Sequence, residues 1–327
     1  MNRCNLVPSR PHSAYSRQHV AARFSFFLLL AATTATLSFA DEPKGSSKGS
    51  NEVKPLKVLL VTGGCCHDYA KQKDILKAGL EARARVVVEQ MHTDDKGTKF
   101  KFEKFGQPNW AEGYDVIIHD ECCADVNDPD FVQGIMAEHK RGVPGVNLHC
   151  AMHCYRVSPD FGKPSIKPLT RDSMWFDYIG IQSSGHGAQL PIALTFLPAE
   201  SPITKGMTDW TTIKEELYNN IQIFDTATPL IRGKQGAGDK QGQNDTVVAW
   251  TNLYGDKKTR VFSTTLGHNN ETVGDDRYLN LVTRGLLWTC DKLNDDYLKP
   301  FDAAKAKADT EAKEKSAPQP TPAKEPK

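Results

Sequence analysis

Lys57-Val58-Leu59-Leu60-Val61-Thr62-Gly63-Gly64-Cys65-Cys66-His67-Asp68 is an apolar run that breaks at two glycines and ends in side chains able to bind a metal or move a proton. The same order recurs twice. Tyr114-Asp115-Val116-Ile117-Ile118 leads into His119-Asp120-Glu121-Cys122-Cys123, and Val143-Pro144-Gly145-Val146-Asn147-Leu148 leads into His149-Cys150-Ala151-Met152-His153-Cys154. In an open α/β sheet, ligands and chemistry collect beyond the carboxyl ends of parallel strands. If the three runs are parallel neighbours, their reactive side chains converge on one edge, and that edge is the expected site.

Between and beyond these runs, the pattern predicts alternating strands and helices. Asp68 to Arg83 sets Tyr69, Ile75, Leu76 and Leu80 at helical spacing, with Asp68 as N-cap. Arg85 to Gln90 reads as a strand, His92 to Asn109 as a loop, and Asp128 to His139 as a helix opened by Asn127 or Asp128. That rhythm argues for βαβ units and a parallel sheet. After Tyr155 it changes. Ser158 to Asp172 is rich in Pro and Lys, and Trp175 to Gly180 opens a segment ending Gly185-His186-Gly187. Pro191–Leu197, Ile221–Ile231, Thr246–Asn252 and Arg260–Leu266 then follow as strand candidates without long helices between them, so they are expected as antiparallel additions. Arg232 to Asn244 is a Gly/Gln/Lys loop, and Asp275 to Cys290 is an amphipathic closing helix.

The ends of the 327-residue chain do not read as fold. Arg17 and Arg23, the apolar stretch Phe24 to Ala32 and the small-residue site Ser38-Phe39-Ala40 have the order of a secretory signal, cleaved near Ala40. The apolar core is too short for a membrane span, so an exported protein, periplasmic or secreted and not integral to the membrane, is expected. A linker over 41–55, a domain over 56–295 and a disordered Ala/Lys/Pro/Glu tail over 296–327 complete the expected organisation. A formal net charge of +1 leaves no basic excess for nucleic acid. Of eight cysteines, Cys4 leaves with the leader. The odd number remaining implies an unpaired thiol or an intermolecular bond, and disulfides persist after export. Adjacent cysteines are not expected to bond each other, so Cys66 with Cys123, or either with Cys150, are the disulfide candidates.

Gly145 to Ala151 reads as a strand entering a tight turn, where a nucleophile elbow would sit, and His149 occupies the elbow position. His149/His153 and Cys150/Cys154 have i, i+4 spacing, which suits zinc on a helix face and equally suits packing of Met152 and Cys154. Glu215-Glu216-Leu217-Tyr218 is an acidic pair that commonly marks a solvated face. Gly267-His268-Asn269 follows a strand, where glycine lets backbone approach a ligand and histidine aims an imidazole at it. Gly63-Gly64 lacks the lysine and third glycine of a phosphate loop, so no nucleotide cofactor is expected.

Taken in order, Gly63-Gly64 with His67-Asp68, Asn147-Leu148-His149, Ile179-Gly180 with Gly185-His186-Gly187, Ser201 to Gly206 with Glu215 to Tyr218, Val248-Ala249-Trp250-Thr251, and Arg260-Val261-Phe262 with Leu266-Gly267-His268-Asn269 resemble a trehalose-utilisation (ThuA-like) domain. The resemblance covers about Leu56 to Leu293. It implies a flavodoxin-like, class I glutamine amidotransferase-like three-layer α/β sandwich, with a mostly parallel central sheet and antiparallel additions. It also implies a role in carbohydrate metabolism, with His67, His149, His186, Glu216 and His268 at pocket positions. The amidotransferase relatives carry cysteine at the elbow; His149 in its place argues against a thioester mechanism and against glutamine hydrolysis.

Three functional readings follow. In the first, His149, His186, Glu216 and His268 perform acid–base catalysis on a sugar or keto sugar, with His67, Asp68, Trp250, Asn269 and Tyr218 binding it. In the second, a zinc-dependent hydrolase draws ligands from His67, His149, His153, His186 and the cysteines. In the third, a non-catalytic carbohydrate-binding or envelope module stacks sugars on Trp175, Tyr178, Trp250 and Tyr254.

Overall fold

A computed structural model of the chain describes residues 53–164, 166–197, 201–236 and 245–302. Residues 1–52 and 303–327, on which the expected leader, most of the expected linker and most of the expected tail fall, lie outside these residues. The first half supplies strands β1 (Leu56–Gly64), β2 (Val86–Thr93), β3 (Val116–Cys122) and β4 (Gly145–Leu148), with helices α1 (Tyr69–Arg83) and α2 (Pro129–Arg141). The second half supplies α3 (Met174–Ile179), β5 (Ile181–Phe196), β6 (Trp210–Ile223), β7 (Ala227–Lys234), β8 (Asp245–Tyr254), β9 (Thr259–Thr264), α4 (Asn270–Val273) and α5 (Asp276–Thr289).

The strands form one nine-stranded sheet in the order β2-β1-β3-β4-β9-β8-β7-β5-β6. Pairings from β2 through β9 are parallel, and those from β9 through β6 are antiparallel. Alternation along the strands divides the core into two faces. Val58, Leu60, Ile118 and Val146 pack with Leu76 and Leu80 of α1 and Leu286 and Leu287 of α5. Leu59, Val61, Ile117 and Val261 pack with Val132, Ile135 and Met136 of α2 and Trp175 and Phe176 of α3. Each such fully buried aliphatic side chain contributes roughly 1.5–3 kcal/mol. This is the expected three-layer sandwich with antiparallel additions.

The differences from the sequence reading have local causes. Strand β3 runs on to Cys122, so His119, Asp120 and Glu121 lie within the sheet, not beyond it. Glu215 to Tyr218, with no strand assigned from sequence, sit in β6. The candidate strand Ile221–Ile231 is two strand ends joined by a turn in which the Ala227 N–H donates to the Phe224 carbonyl. After β4 the chain makes a 3-10 turn, His149–His153, where an α-helix was expected, so the i, i+4 pairs do not share a face. Ordered packing also passes the expected tail boundary: Arg85 and Lys299 exchange backbone bonds with Tyr297 and Arg83, and the Arg83 guanidinium stacks on Phe301. Among the described residues no helix is long and apolar enough to cross a membrane.

Candidate functional site

The Gly63-Gly64 pair sets the first piece of the site. Both residues have positive φ, and a Cβ on Gly64 would stand 2.4 Å from the Cys122 carbonyl oxygen. Only glycine lets the end of β1 press this closely on the end of β3 while turning away from the sheet. The turn carries Cys65, Cys66 and His67 over the strand ends, and α1 then begins at Tyr69. The second piece is His149, at φ +42° immediately after β4. A non-glycine residue in the left-handed region at a strand-to-turn junction is the elbow geometry read from sequence.

The third and fourth pieces come from the antiparallel half. Glu216 projects from β6, and His268 follows β9. The neighbouring Glu215, fully buried, accepts from the backbone N–H groups of Gly267 and His268 at 3.4 and 3.1 Å and from that of Asn269 at 3.3 Å. One carboxylate thus gathers the loop that presents His268, while Gln72 of α1 donates to the His268 carbonyl at 3.0 Å. Sequence reasoning chose Glu216 and passed over Glu215; no feature of an adjacent acidic pair says which member holds backbone.

These pieces meet. His67 Nε2 lies 3.0 Å from both His149 Nε2 and His268 Nδ1. Glu216 lies 3.4 Å from His149 Nε2 through Oε2 and 3.2 Å from His268 Nδ1 through Oε1. One donor atom from each of the four residues falls within 4.8 Å of every other. The outer edges of the rings are tied down: His149 Nδ1 donates to the Thr265 carbonyl at 2.7 Å, His67 Nδ1 meets the Tyr69 hydroxyl at 3.1 Å, and His268 Nε2 meets the Gln189 amide at 2.8 Å. With Nδ1–H of His149 engaged, its Nε2 faces His67 Nε2 and Glu216 Oε2. Ring nitrogens and a carboxylate that converge in this way can share protons or hold a metal cation.

Burial, then the neighbouring His149 and His268, hold His67 down to about 2. Burial alone would raise Glu216, but hydrogen bonds from His149 and His268 bring it well below the usual carboxylate range. The bond to Glu216 raises His268 above the ordinary imidazole value, against the effect of burial. A cleft of about 420 Å³ lined by Cys66, His67, Asp68, His268 and Asn269 opens onto the cluster. A larger hollow of about 580 Å³, lined by Gln133, Arg171, Asp177 and Tyr254, holds none of the converging histidines.

The other expected site residues fall into distinct places. His186 stands at the rim, its side chain 40% exposed and Nε2 3.5 Å from Glu216 Oε2. Asp68 accepts from Asn270 on the cleft wall, and Asn269 donates to the Lys214 carbonyl. Tyr218 is fully buried and stacks at 4.3 Å on His153, so it floors the site and is not open to a substrate. His153 is a correction: its Nε2 meets Ser183 Oγ at 2.9 Å and burial holds it well below the ordinary imidazole value, away from the four-residue cluster. His186 likewise lies outside the four-residue cluster. Trp250 is a second correction, because it is fully buried and donates to the Ile179 carbonyl at 2.6 Å; it is core, as are Trp175, Tyr178 and Tyr254. His119 pairs with Glu121 at 2.8 Å and with His139 at 3.2 Å, and Tyr155 donates to Glu121 at 2.8 Å, in a buried network of the opposite face.

The cysteines also depart from expectation. Cys65 and Cys66, adjacent in sequence, are bonded to each other. Cys122, Cys123, Cys150, Cys154 and Cys290 are free thiols. Cys150 turns away from the elbow and approaches Cys122 at 2.7 Å.

The sequence profile of the trehalose utilisation family, ThuA, matches residues 57–289. The chain belongs to the ThuA family. Among solved structures, a ThuA-like protein of Parabacteroides merdae is 20% identical with a TM-score of 0.51, over 72% of this chain and 90% of that one. A ThuA-like protein of Bacteroides uniformis is 15% identical with a TM-score of 0.50, over 74% of this chain and 94% of that one. A glutamine amidotransferase of Thermotoga maritima is 10% identical with a TM-score of 0.41, over 72% of this chain and 98% of that one. A search of curated protein sequences gives no match. The matched ThuA segment contains all four residues of the cluster.

Proposed function

We propose that this ThuA protein is an exported, metal-dependent enzyme acting on a sugar or an oxidised sugar, with His67, His149, His268 and Glu216 holding a divalent transition ion of the zinc class. The observation that carries the reading is the spacing of the four donor atoms. Ligands about 2.0–2.1 Å from a tetrahedral ion stand roughly 3.3 Å from one another. Contacts of 3.0, 3.0, 3.2 and 3.4 Å, in which Glu216 meets His149 through one carboxylate oxygen and His268 through the other, are close to that edge. Three imidazoles and one carboxylate are also a donor set that suits zinc. The outer-ring bonds to Thr265, Tyr69 and Gln189 orient the ligands as partners of metal-bound histidines do.

An ion held there would supply Lewis-acid polarisation of a substrate oxygen. The chain's own groups do the rest. His186, exposed beside Glu216, moves a proton at a sugar hydroxyl, and Asp68 and Asn269 on the cleft wall hydrogen-bond neighbouring hydroxyls. Glutamine hydrolysis is not proposed, since the elbow carries His149 and the following thiol faces Cys122. Elemental analysis of protein purified without chelator or affinity tag tests the reading. About one ion per chain, lost in His67→Ala and His268→Ala, supports it. Less than about a tenth of an equivalent in the unsubstituted protein overturns it and leaves the Glu216–His268 pair as a metal-free acid–base couple.

A further inference from the structure

Three adjacent strand ends bring four sulfurs together beside the cluster. The β1 turn carries the Cys65–Cys66 disulfide, β3 ends on Cys122, and Cys150 follows β4. Cys122 Sγ lies 3.4 Å from Cys65 Sγ on one side and 2.7 Å from Cys150 Sγ on the other. Cys66 is exposed, Cys65 half-buried, and Cys122 and Cys150 buried. A disulfide, an attacking thiol and a resolving thiol thus stand in line from surface to interior.

We propose that Cys65, Cys66, Cys122 and Cys150 form one thiol–disulfide exchange site, in which the disulfide passes between the exposed Cys65–Cys66 pair and the buried Cys122–Cys150 pair, with Cys66 as the port for an external dithiol or disulfide. The Cys122 thiolate attacks Cys65 Sγ. A Cys65–Cys122 bond forms, the Cys65–Cys66 bond breaks, and Cys66 leaves with the bonding pair and takes up the proton that Cys122 released. Cys150 then attacks Cys122 Sγ. The Cys122–Cys150 bond forms, the Cys65–Cys122 bond breaks, and Cys65 leaves as thiolate and takes the proton given up by Cys150. No electron is gained or lost, and one disulfide has moved inward. An external dithiol reaching Cys66 instead reduces the exposed pair and departs as its own disulfide, so the chain gains two electrons and two protons. The Cys150 thiol donates to Cys122, which favours the Cys122 thiolate needed for attack.

The site is separate from the proposed ion: it uses no ligand residue, and it stands if the chain proves metal-free. Non-reducing peptide mapping of the full chain, quenched in acid and alkylated with iodoacetamide, tests it. In wild type equilibrated with oxidised and reduced dithiothreitol, both an unalkylated Cys65–Cys66 bridge within one peptide and a Cys122–Cys150 link between two peptides are expected. Cys150→Ser removes the resolving thiol, so exchange stops at the mixed step, and a Cys65–Cys122 link with Cys66 alkylated is expected beside the Cys65–Cys66 bridge, with no Cys122–Cys150 link. Cys66→Ser, at an exposed position, should place Cys122 in a disulfide after treatment with oxidised dithiothreitol. The proposal is overturned if Cys122 is fully alkylated in Cys66→Ser that melts as cooperatively as wild type. Should Cys150→Ser fold poorly, Cys66→Ser alone decides.

Discussion

Nε2 of His149 lies 3.0 Å from Nε2 of His67, two ring nitrogens brought face to face across 82 positions of sequence. Neither can be satisfied by the other without a proton or a cation between them, and the Glu216 carboxylate beside His149 sharpens that demand.

Tyr69→Phe removes the hydroxyl that meets His67 Nδ1 at 3.1 Å while keeping the buried ring. Loss of such an outer partner costs on the order of 10–100-fold in metal affinity. Competition with a chromophoric chelator should show that weakening, with a melting temperature close to wild type.

His186→Ala should leave ion content unchanged, because His186 stands outside the four-donor set. Turnover on a sugar substrate should drop by about 10²–10⁴-fold if this ring moves the proton. Equal turnover in the two proteins would remove His186 from the chemistry.

Gly64→Ala introduces a Cβ 2.4 Å from the Cys122 carbonyl oxygen at a residue with φ +100°. Overpacking of this kind costs roughly 1–3 kcal/mol, and the left-handed backbone adds about 1–2 kcal/mol. The β1 turn would have to shift, so both the melting temperature and ion content should fall together.

His139 makes stability pH-dependent. Burial first, then His119, hold its folded value down to about 3, against 6.5 when free. Below 6.5 the unfolded chain takes a proton that the folded chain refuses, so the contribution is complete above pH 6.5 and is lost as pH falls toward 3. Its full size is on the order of 4–5 kcal/mol. Melting curves from neutral to acid pH should slope downward, and less steeply for His139→Gln, with buried His153 supplying part of the remaining slope.

Trp250→Phe removes the bond to the Ile179 carbonyl from a fully buried site. A destabilisation of about 1–3 kcal/mol is expected by urea titration. Affinity for any sugar ligand should not change, since the ring does not reach the cleft.

The parallel half was legible because strand-ending glycines and cysteine–histidine clusters repeat three times, and strand ends are where α/β folds place chemistry. His67, His149, Glu216 and His268 were all named from sequence, yet grouping them was not possible there. The contact of His67 with His268 spans 201 positions, and periodicity carries no information about such pairs. The i, i+4 spacing that makes His153 a candidate ligand presumes an α-helix, whereas the chain makes a 3-10 turn. Adjacency argues against a Cys65–Cys66 bond, but Cys66 adopts φ +81° close to two glycines that already turn the chain. Glu215 was invisible because its partners are backbone N–H groups, which every residue has.

Strand β9 is the last strand in sequence and occupies the middle of the sheet, pairing with β4 on one side and β8 on the other. It is a keystone. A chain ending before Thr259 would hold the four-stranded block β2-β1-β3-β4 and the four-stranded block β8-β7-β5-β6 with two bare edges between them, each a template for pairing with other chains. On a growing polypeptide, His67 and His149 would be laid down early and Glu216 later, all waiting on one insertion that joins the blocks and brings His268 with it. Assembly of the sheet and completion of the site are therefore the same event.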